Sequence, residues 1–180
     1  PLRRQRQMCI RDRYYSEASA TKFDPLQGCQ WSRFLYELAR CIFVEEGVSS
    51  VCDKLYALNK AMSSVDLYYQ VAMPDIFMFD HPFGSVMGRA SYSDYFTFSQ
   101  GCTVGNNRGI YPRFGQSVFM FSNSKVIGDC EIGDNVIIGA NAYVKDTDIP
   151  GGSLVFGQSP DLVIKENKLD YVRTVSYTHL

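Results

Sequence analysis

From Phe114 onward the chain places an apolar residue at every sixth position: Phe114, Met120, Val126, Ile132, Ile138 and Val144. A small or aliphatic residue stands four places after each of the first five, as Val118, Ser124, Cys130, Val136 and Ala142. Upstream, Val86, Tyr92, Phe98 and Val104 keep the same beat, with Ala90 and Cys102 in the four-later slot. A helix repeats every 3.6 residues and an ordinary strand every two, so neither makes a strict six. Hexapeptide repeats do, and stacked repeats of that kind coil into a parallel β-helix. The pattern predicts a repeat domain over 64–165, its two blocks separated by a loop at 105–113 with two glycines and a proline. Pro150-Gly151-Gly152 breaks the second block, and Leu154 to Lys165 reads as a closing strand or cap, which a solenoid end needs.

Ahead of the repeats, residues 14–63 read as a helical lead-in that caps the other end. Asp24-Pro25 is a helix-start signal, an N-cap acceptor followed by proline in the first turn. Phe34, Leu38 and Ile42, with Leu35 alongside, form an amphipathic stripe, and Gly47 ends that helix. Ser50 with Asp53 resembles a capping box for a second helix, whose apolar face is Val51, Leu55, Leu58 and Met62. The fold class expected is therefore mainly β, with a short N-terminal helical segment.

The ends change the charge picture. Gln7–Arg13 (QMCIRDR) and Thr174–Leu180 (TVSYTHL) can be encoded by one stretch of about 19 bases and its reverse complement, so residues 1–13 and 174–180 are read as translated sequencing adapter. A tail over 166–173 precedes the second adapter segment. Excluding residues 1–13 removes five arginines and one aspartate and moves the formal charge from −1 to −5. The basic cluster that would invite a nucleic-acid partner goes with it. Five cysteines then remain, Cys29, Cys41, Cys52, Cys102 and Cys130, an odd number without a CxxC. That usage points to reduced thiols in a cytoplasmic protein. No apolar run reaches the 18 or so residues of a membrane span.

The clearest chemical signal is Asp80-His81-Pro82-Phe83-Gly84, just before the first hexad. Asp66 lies fifteen residues earlier, close to one coil of three hexads, so it is expected at the same corner. A carboxylate there would hold the imidazole by Nδ1–H and leave Nε2 to accept a proton. A turn-capping role for Asp66 fits the spacing equally well.

The ordered set Val65-Asp66, Phe79 to Gly88, Gln100-Gly101-Cys102-Thr103-Val104-Gly105, Tyr111 to Gly115 and Ile132 to Ala142 resembles the serine acetyltransferase group of hexapeptide acyltransferases. The resemblance covers about residues 30–165. It implies a left-handed parallel β-helix, a homotrimer, and acetyl-CoA as co-substrate in a groove between neighbouring prisms, with no metal. It further implies His81 as general base, Asp66 as its partner and Asp80 at the acceptor side. Gly105, Asn106 and Asn107 match the strand end near the pantetheine arm, and Ser122 and Ala140 match small positions along the cofactor groove. One departure stands out. Members of the group carry Arg-His-Pro after the loop to read the amino-acid substrate, where this chain has Ile110-Tyr111-Pro112. With Tyr111 at the acceptor side and no arginine at 110, a sugar hydroxyl on a surface glycan or its precursor is the expected acceptor. Serine, in cysteine biosynthesis, is the alternative, and a non-catalytic assembly module is the third reading.

Overall fold

The computed structural model of the chain describes residues 23–168. The adapter readings for 1–13 and 174–180 lie outside the described residues. Two helices, α1 (Gly28–Glu46) and α2 (Ser50–Ser63), precede thirteen short strands. The strands stack in three columns, which are the faces of a triangular prism. Face 1 contains β1 (Asp66–Leu67), β3 (Val86–Met87), β5 (Thr103–Gly105), β8 (Lys125–Ile127) and β11 (Tyr143–Lys145), all parallel neighbours. Face 2 contains β2 (Phe77–Phe79), β4 (Phe96–Phe98), β7 (Phe119–Met120), β10 (Ile137–Ile138) and β12 (Ser153–Gln158). Face 3 contains β6 (Arg113–Phe114) and β9 (Glu131–Ile132), extended by bridges at Ser91 and Ile149. This is the parallel β-helix that the six-residue beat predicts.

Every beat position from Phe114 to Val144 is buried, and so are Val118, Ser124, Cys130, Val136 and Ala142. The beat places one residue per face on the axis, giving three inward columns, and the four-later residues Val118, Cys130, Val136 and Ala142 join the same core beside them. On face 1 the column is Leu67, Met87, Val104, Val126 and Val144; on face 2 it is Phe79, Phe98, Met120, Ile138 and Val155. The upstream beat is displaced at one point. Val86 is 41% exposed and Met87, at 2%, takes the inward place. The cause is local: seven residues separate Phe79 from Val86, whereas five separate the paired Phe98 from Thr103. The corner His81-Pro82-Phe83 is thus two residues longer than the one stacked on it, and the phase slips there.

Corners need left-handed backbone. The residues leading into face 1, Ser64, Gly84, Gly101, Asn123 and Asn141, have φ of 52°, 72°, 67°, 62° and 61°. Glycine and asparagine take this conformation most readily, so they gather at such positions. Close stacking sets a second demand. A Cβ on Gly133 would lie 2.4 Å from the backbone nitrogen of Gly151 in the next coil.

The ends depart from the sequence reading in detail. Asp24-Pro25 forms a turn, in which Asp24 accepts from the Leu26 amide, and Gln27 caps α1 instead. Ser49, extended at φ −142°, caps α2 in place of Ser50, and Asp53 accepts a hydrogen bond from the Tyr69 hydroxyl. The buried helix faces keep Leu35, Ile42 and Leu55 of the expected stripes but are partly rotated. Leu38, Val51, Leu58 and Met62 are exposed, while Arg33, Leu35, Tyr36, Ala39, Cys52 and Asn59 face inward. Polar tips explain the rotation. Arg33 donates to the Phe77 carbonyl at 2.6 Å and lies over its ring, and the Tyr36 hydroxyl donates to the Val71 carbonyl at 2.7 Å. Satisfied in this way, such side chains bury at little penalty and seat the helices on the first coil. At the far end β12 turns back into an antiparallel partner, β13 (Asp161–Glu166), so the cap is a hairpin and not a single strand. Among the described residues no helix is long and apolar enough to cross a membrane.

Candidate active site

Two edges of the prism carry the residues singled out above. The first edge joins face 2 to face 1. Two residues beyond the paired Phe79, Phe98, Met120 and Ile138 stand His81, Gln100, Ser122 and Ala140, one per coil. Corner amides hold this stack in register, Asn123 to the Gln100 carbonyl at 2.8 Å and Asn141 to the Ser122 carbonyl at 3.0 Å. His81 itself has φ 48°, an uncommon conformation held by the buried Pro82 after it and by the Phe83 amide on its carbonyl. Its side chain is 63% exposed, and Nε2 lies 3.9 Å from Asp80 Oδ1. Leu26, Gln27, Gly28, Cys29, Met62, Ser63, Pro82 and Phe83 form with His81 a mostly apolar cleft of about 500 Å³.

Asp66 shares this corner. Its amide donates to the Ser85 carbonyl at 2.8 Å, and the Gly84 amide donates to the Ser64 carbonyl at 2.9 Å. The carboxylate, however, makes no hydrogen bond to His81. Tyr56 OH donates to Asp66 Oδ1 at 2.5 Å, and Lys60 Nζ to Oδ2 at 2.6 Å. Both donors come from α2, a partnership that helical spacing alone does not reveal. Burial pushes the Asp66 pKa up, but the Lys60 and Tyr56 hydrogen bonds outweigh it and the net shift is downward. Asp66 is therefore a carboxylate at neutral pH.

The second edge joins face 1 to face 3 and carries the loop. Asn107 and Ile110 exchange both backbone hydrogen bonds at 3.0 Å across Arg108 and Gly109, each at positive φ, as in a type I′ turn. Asn106 accepts from the Gly109 amide and donates to the Tyr111 hydroxyl; Asn107 donates to Asp146 at 2.6 Å. Tyr111 packs against Gly88, where a Cβ would meet its ring at 2.9 Å. Asn107, Arg108, Ile110, Asp129, Asp146 and Asp148 surround a polar cleft of about 370 Å³. Arg113 is engaged elsewhere, by Glu131 at 2.6 Å and Asp129 at 3.7 Å.

One chain thus brings His81, Asp80, Asp66, Ser122 and Ala140 to one edge and Gly105, Asn106, Asn107 and Tyr111 to the other. Face 1 separates them by about four residues, roughly 13 Å of strand. Among the described residues no cluster of three or more His, Cys, Asp or Glu is placed to hold a metal.

Residues 111–146 match the bacterial transferase hexapeptide (six repeats) family. A serine acetyltransferase of Staphylococcus aureus is 28% identical over 128 residues, 68% of this chain and 59% of the relative. A Helicobacter pylori serine acetyltransferase is 34% identical over 92 residues, 48% of this chain and 53% of the relative. The chain therefore spans between half and two thirds of the length of these curated relatives. Among solved structures, Neisseria gonorrhoeae serine acetyltransferase superimposes with a TM-score of 0.77 at 18% identity, covering 96% of this chain and 69% of that one. A Brucella abortus serine acetyltransferase in complex with coenzyme A gives 0.70 at 17%, covering 88% and 65%. At such identities the superpositions speak for the fold. In its repeats and its relatives the chain is similar to serine acetyltransferases of the hexapeptide-repeat type, and in its fold to their solved structures.

Proposed function

We propose that this chain is an acetyl-CoA-dependent O-acetyltransferase in which His81 takes the proton from an acceptor hydroxyl. The carrying observation is the stack on the first edge. His81 stands exposed at a corner held in left-handed backbone, with Gln100 next above it and the small Ser122 and Ala140 beyond. Such an edge leaves room for the arm of coenzyme A, and the relatives' names support acetyl as the group moved. The acceptor oxygen attacks the thioester carbonyl as its proton passes to Nε2. The carbon–sulfur bond then breaks and the imidazolium returns the proton to the thiolate. Asp66 serves as the orienting carboxylate and Asp80, beside Nε2, faces the acceptor.

Tyr111 and the loop belong to the same site only if a second chain supplies them, because face 1 keeps the two edges of one chain apart. A closed cyclic trimer would set the His81 edge of one subunit against the loop edge of the next. Light scattering on the full chain at micromolar concentration is expected to give three times the monomer mass of 20.4 kDa. A monomer with intact activity would remove this part of the proposal.

The acceptor is read as a hydroxyl compound without a carboxylate, such as a sugar. Ile110 cannot make the bidentate, charge-assisted contact an arginine offers to a carboxylate, and Arg113 is held by Glu131 and Asp129. Serine is the second reading, favoured by the curated relatives at 28–34% identity. L-Serine is expected to be a poor substrate beside D-glucose or D-galactose, and Ile110→Arg with Tyr111→His is expected to raise serine turnover about tenfold or more. The measurement is thiol release from acetyl-CoA with each acceptor. Efficient serine acetylation by the unmodified chain would overturn the sugar reading in favour of serine.

A further inference from the structure

We propose that Tyr56 and Lys60, on helix α2, are positioning residues that hold the Asp66 carboxylate in place for His81. The inference rests on the reading of His81 as general base. The two side chains lie one turn apart on one helix face and reach the two different oxygens of the carboxylate, Oδ1 at 2.5 Å and Oδ2 at 2.6 Å. Lys60 Nζ also donates to the Tyr56 hydroxyl at 3.4 Å, which closes the triangle. The Tyr56 ring is held in turn by Tyr68, edge-on at 5.1 Å. The same helix runs on to Met62 and Ser63, which line the cleft beside His81, so the clamp and the imidazole share one corner.

A carboxylate has two oxygens and about four acceptor positions. Tyr56 and Lys60 use one on each oxygen, and one on each is left for an imidazole N–H. Free to rotate, the Asp66 side chain would spread over several orientations, and only some of them suit the imidazole. Two charge-assisted donors narrow that choice. The lowered pKa of Asp66 agrees with this arrangement, since it keeps the group an acceptor wherever the imidazole is neutral. The competing account is that the triangle merely docks α2 on the first coil.

The test uses the full chain, with acetyl-CoA and whichever of L-serine, D-glucose or D-galactose the unmodified chain acetylates. Tyr56→Phe and Lys60→Met are each expected to lower kcat about tenfold with KM for acetyl-CoA unchanged, because misplaced geometry slows the step and not the binding. Lys60→Arg, which keeps charge and donors, is expected to retain most of the rate. In an Asp66→Asn background Tyr56→Phe is expected to add no further loss, as befits a residue acting through Asp66. A full-sized loss in that background, or a fall in kcat matched by an equal loss of thermal stability, would assign the triangle to docking and overturn the proposal. So would a rise in kcat, which would mean that the clamp withholds Asp66 from His81. His81→Ala measured alongside separates the two readings. Retained activity there sinks the base assignment, whereas an inactive His81→Ala beside a fully active Tyr56→Phe sinks only the positioning role.

Discussion

Replacing His81 by alanine is expected to lower acetyl transfer by about two to four powers of ten, the usual contribution of a general base. Binding of acetyl-CoA is expected to survive, because Ser122 and Ala140 belong to later coils of the same edge and do not touch His81. The fold is expected to survive as well, since the His81 side chain points to solvent and none of the inward columns includes it. Asp66→Asn should do less harm. It leaves an imidazole able to take the proton and removes only the carboxylate that orients it and stabilises the imidazolium. The comparison needs kcat from thiol release and an acetyl-CoA dissociation constant from calorimetry for both variants. A His81→Ala protein that works at the parent rate would remove His81 from the chemistry, whereas a parent chain that acetylates no hydroxyl compound would leave a non-catalytic assembly module as the better account.

Phe98→Ala is expected to destabilise the domain by about 3–5 kcal/mol. Phe98 is fully buried on the axis, with the rings of Phe79 at 5.1 Å and Phe96 at 6.1 Å around it. The inward residues of the coils above and below hold their own contacts along the axis and cannot easily collapse into the gap. A solenoid transmits such a loss to the adjacent coils, because each repeat is stabilised by its neighbours. The midpoint of urea unfolding, followed by circular dichroism, should fall well below that of the parent. An unchanged midpoint would mean that the axis is less tightly packed than the geometry indicates.

The legible part of the fold was the part governed by period. Positions such as Val126, Ile132 and Ile138 recur because each face of each coil repeats the same inward place, and a fixed period is visible in one sequence. Val86 was misread for the same reason. The two extra residues at the His81 corner shift the phase, and nothing in the apolar pattern marks where a corner lengthens. The helices were found, but their inward faces only in part: Leu35 is buried and Ile42 and Leu55 pack against the core, whereas Leu38, Val51, Leu58 and Met62 are exposed. Arg33, Tyr36 and Asn59 turn inward because their polar tips find partners in the first coil or the neighbouring helix, and a hydrophobic stripe cannot anticipate a hydrogen bond across 44 residues from Arg33 to Phe77. The site divides along the same line. The spacing of Asp66 and His81 suggested one corner because each coil brings the chain back to the same edge, even though the coils differ in length. That Tyr56 and Lys60 occupy the Asp66 carboxylate depends on how α2 seats against the first coil, which is a matter of packing and not of period. The separation of the loop from His81 likewise emerges only when the chain is wound and its faces are counted.

Mass spectrometry of the acceptor after incubation of the full chain with acetyl-CoA tests the central claim most directly. L-Serine, D-glucose and D-galactose are offered separately, with His81→Ala as the control. The account predicts one acetyl group added to a hydroxyl acceptor, one free coenzyme A thiol released per product, and neither with His81→Ala. An acceptor acetylated equally well by parent and His81→Ala protein, or no acetylated product with any hydroxyl compound, would contradict it.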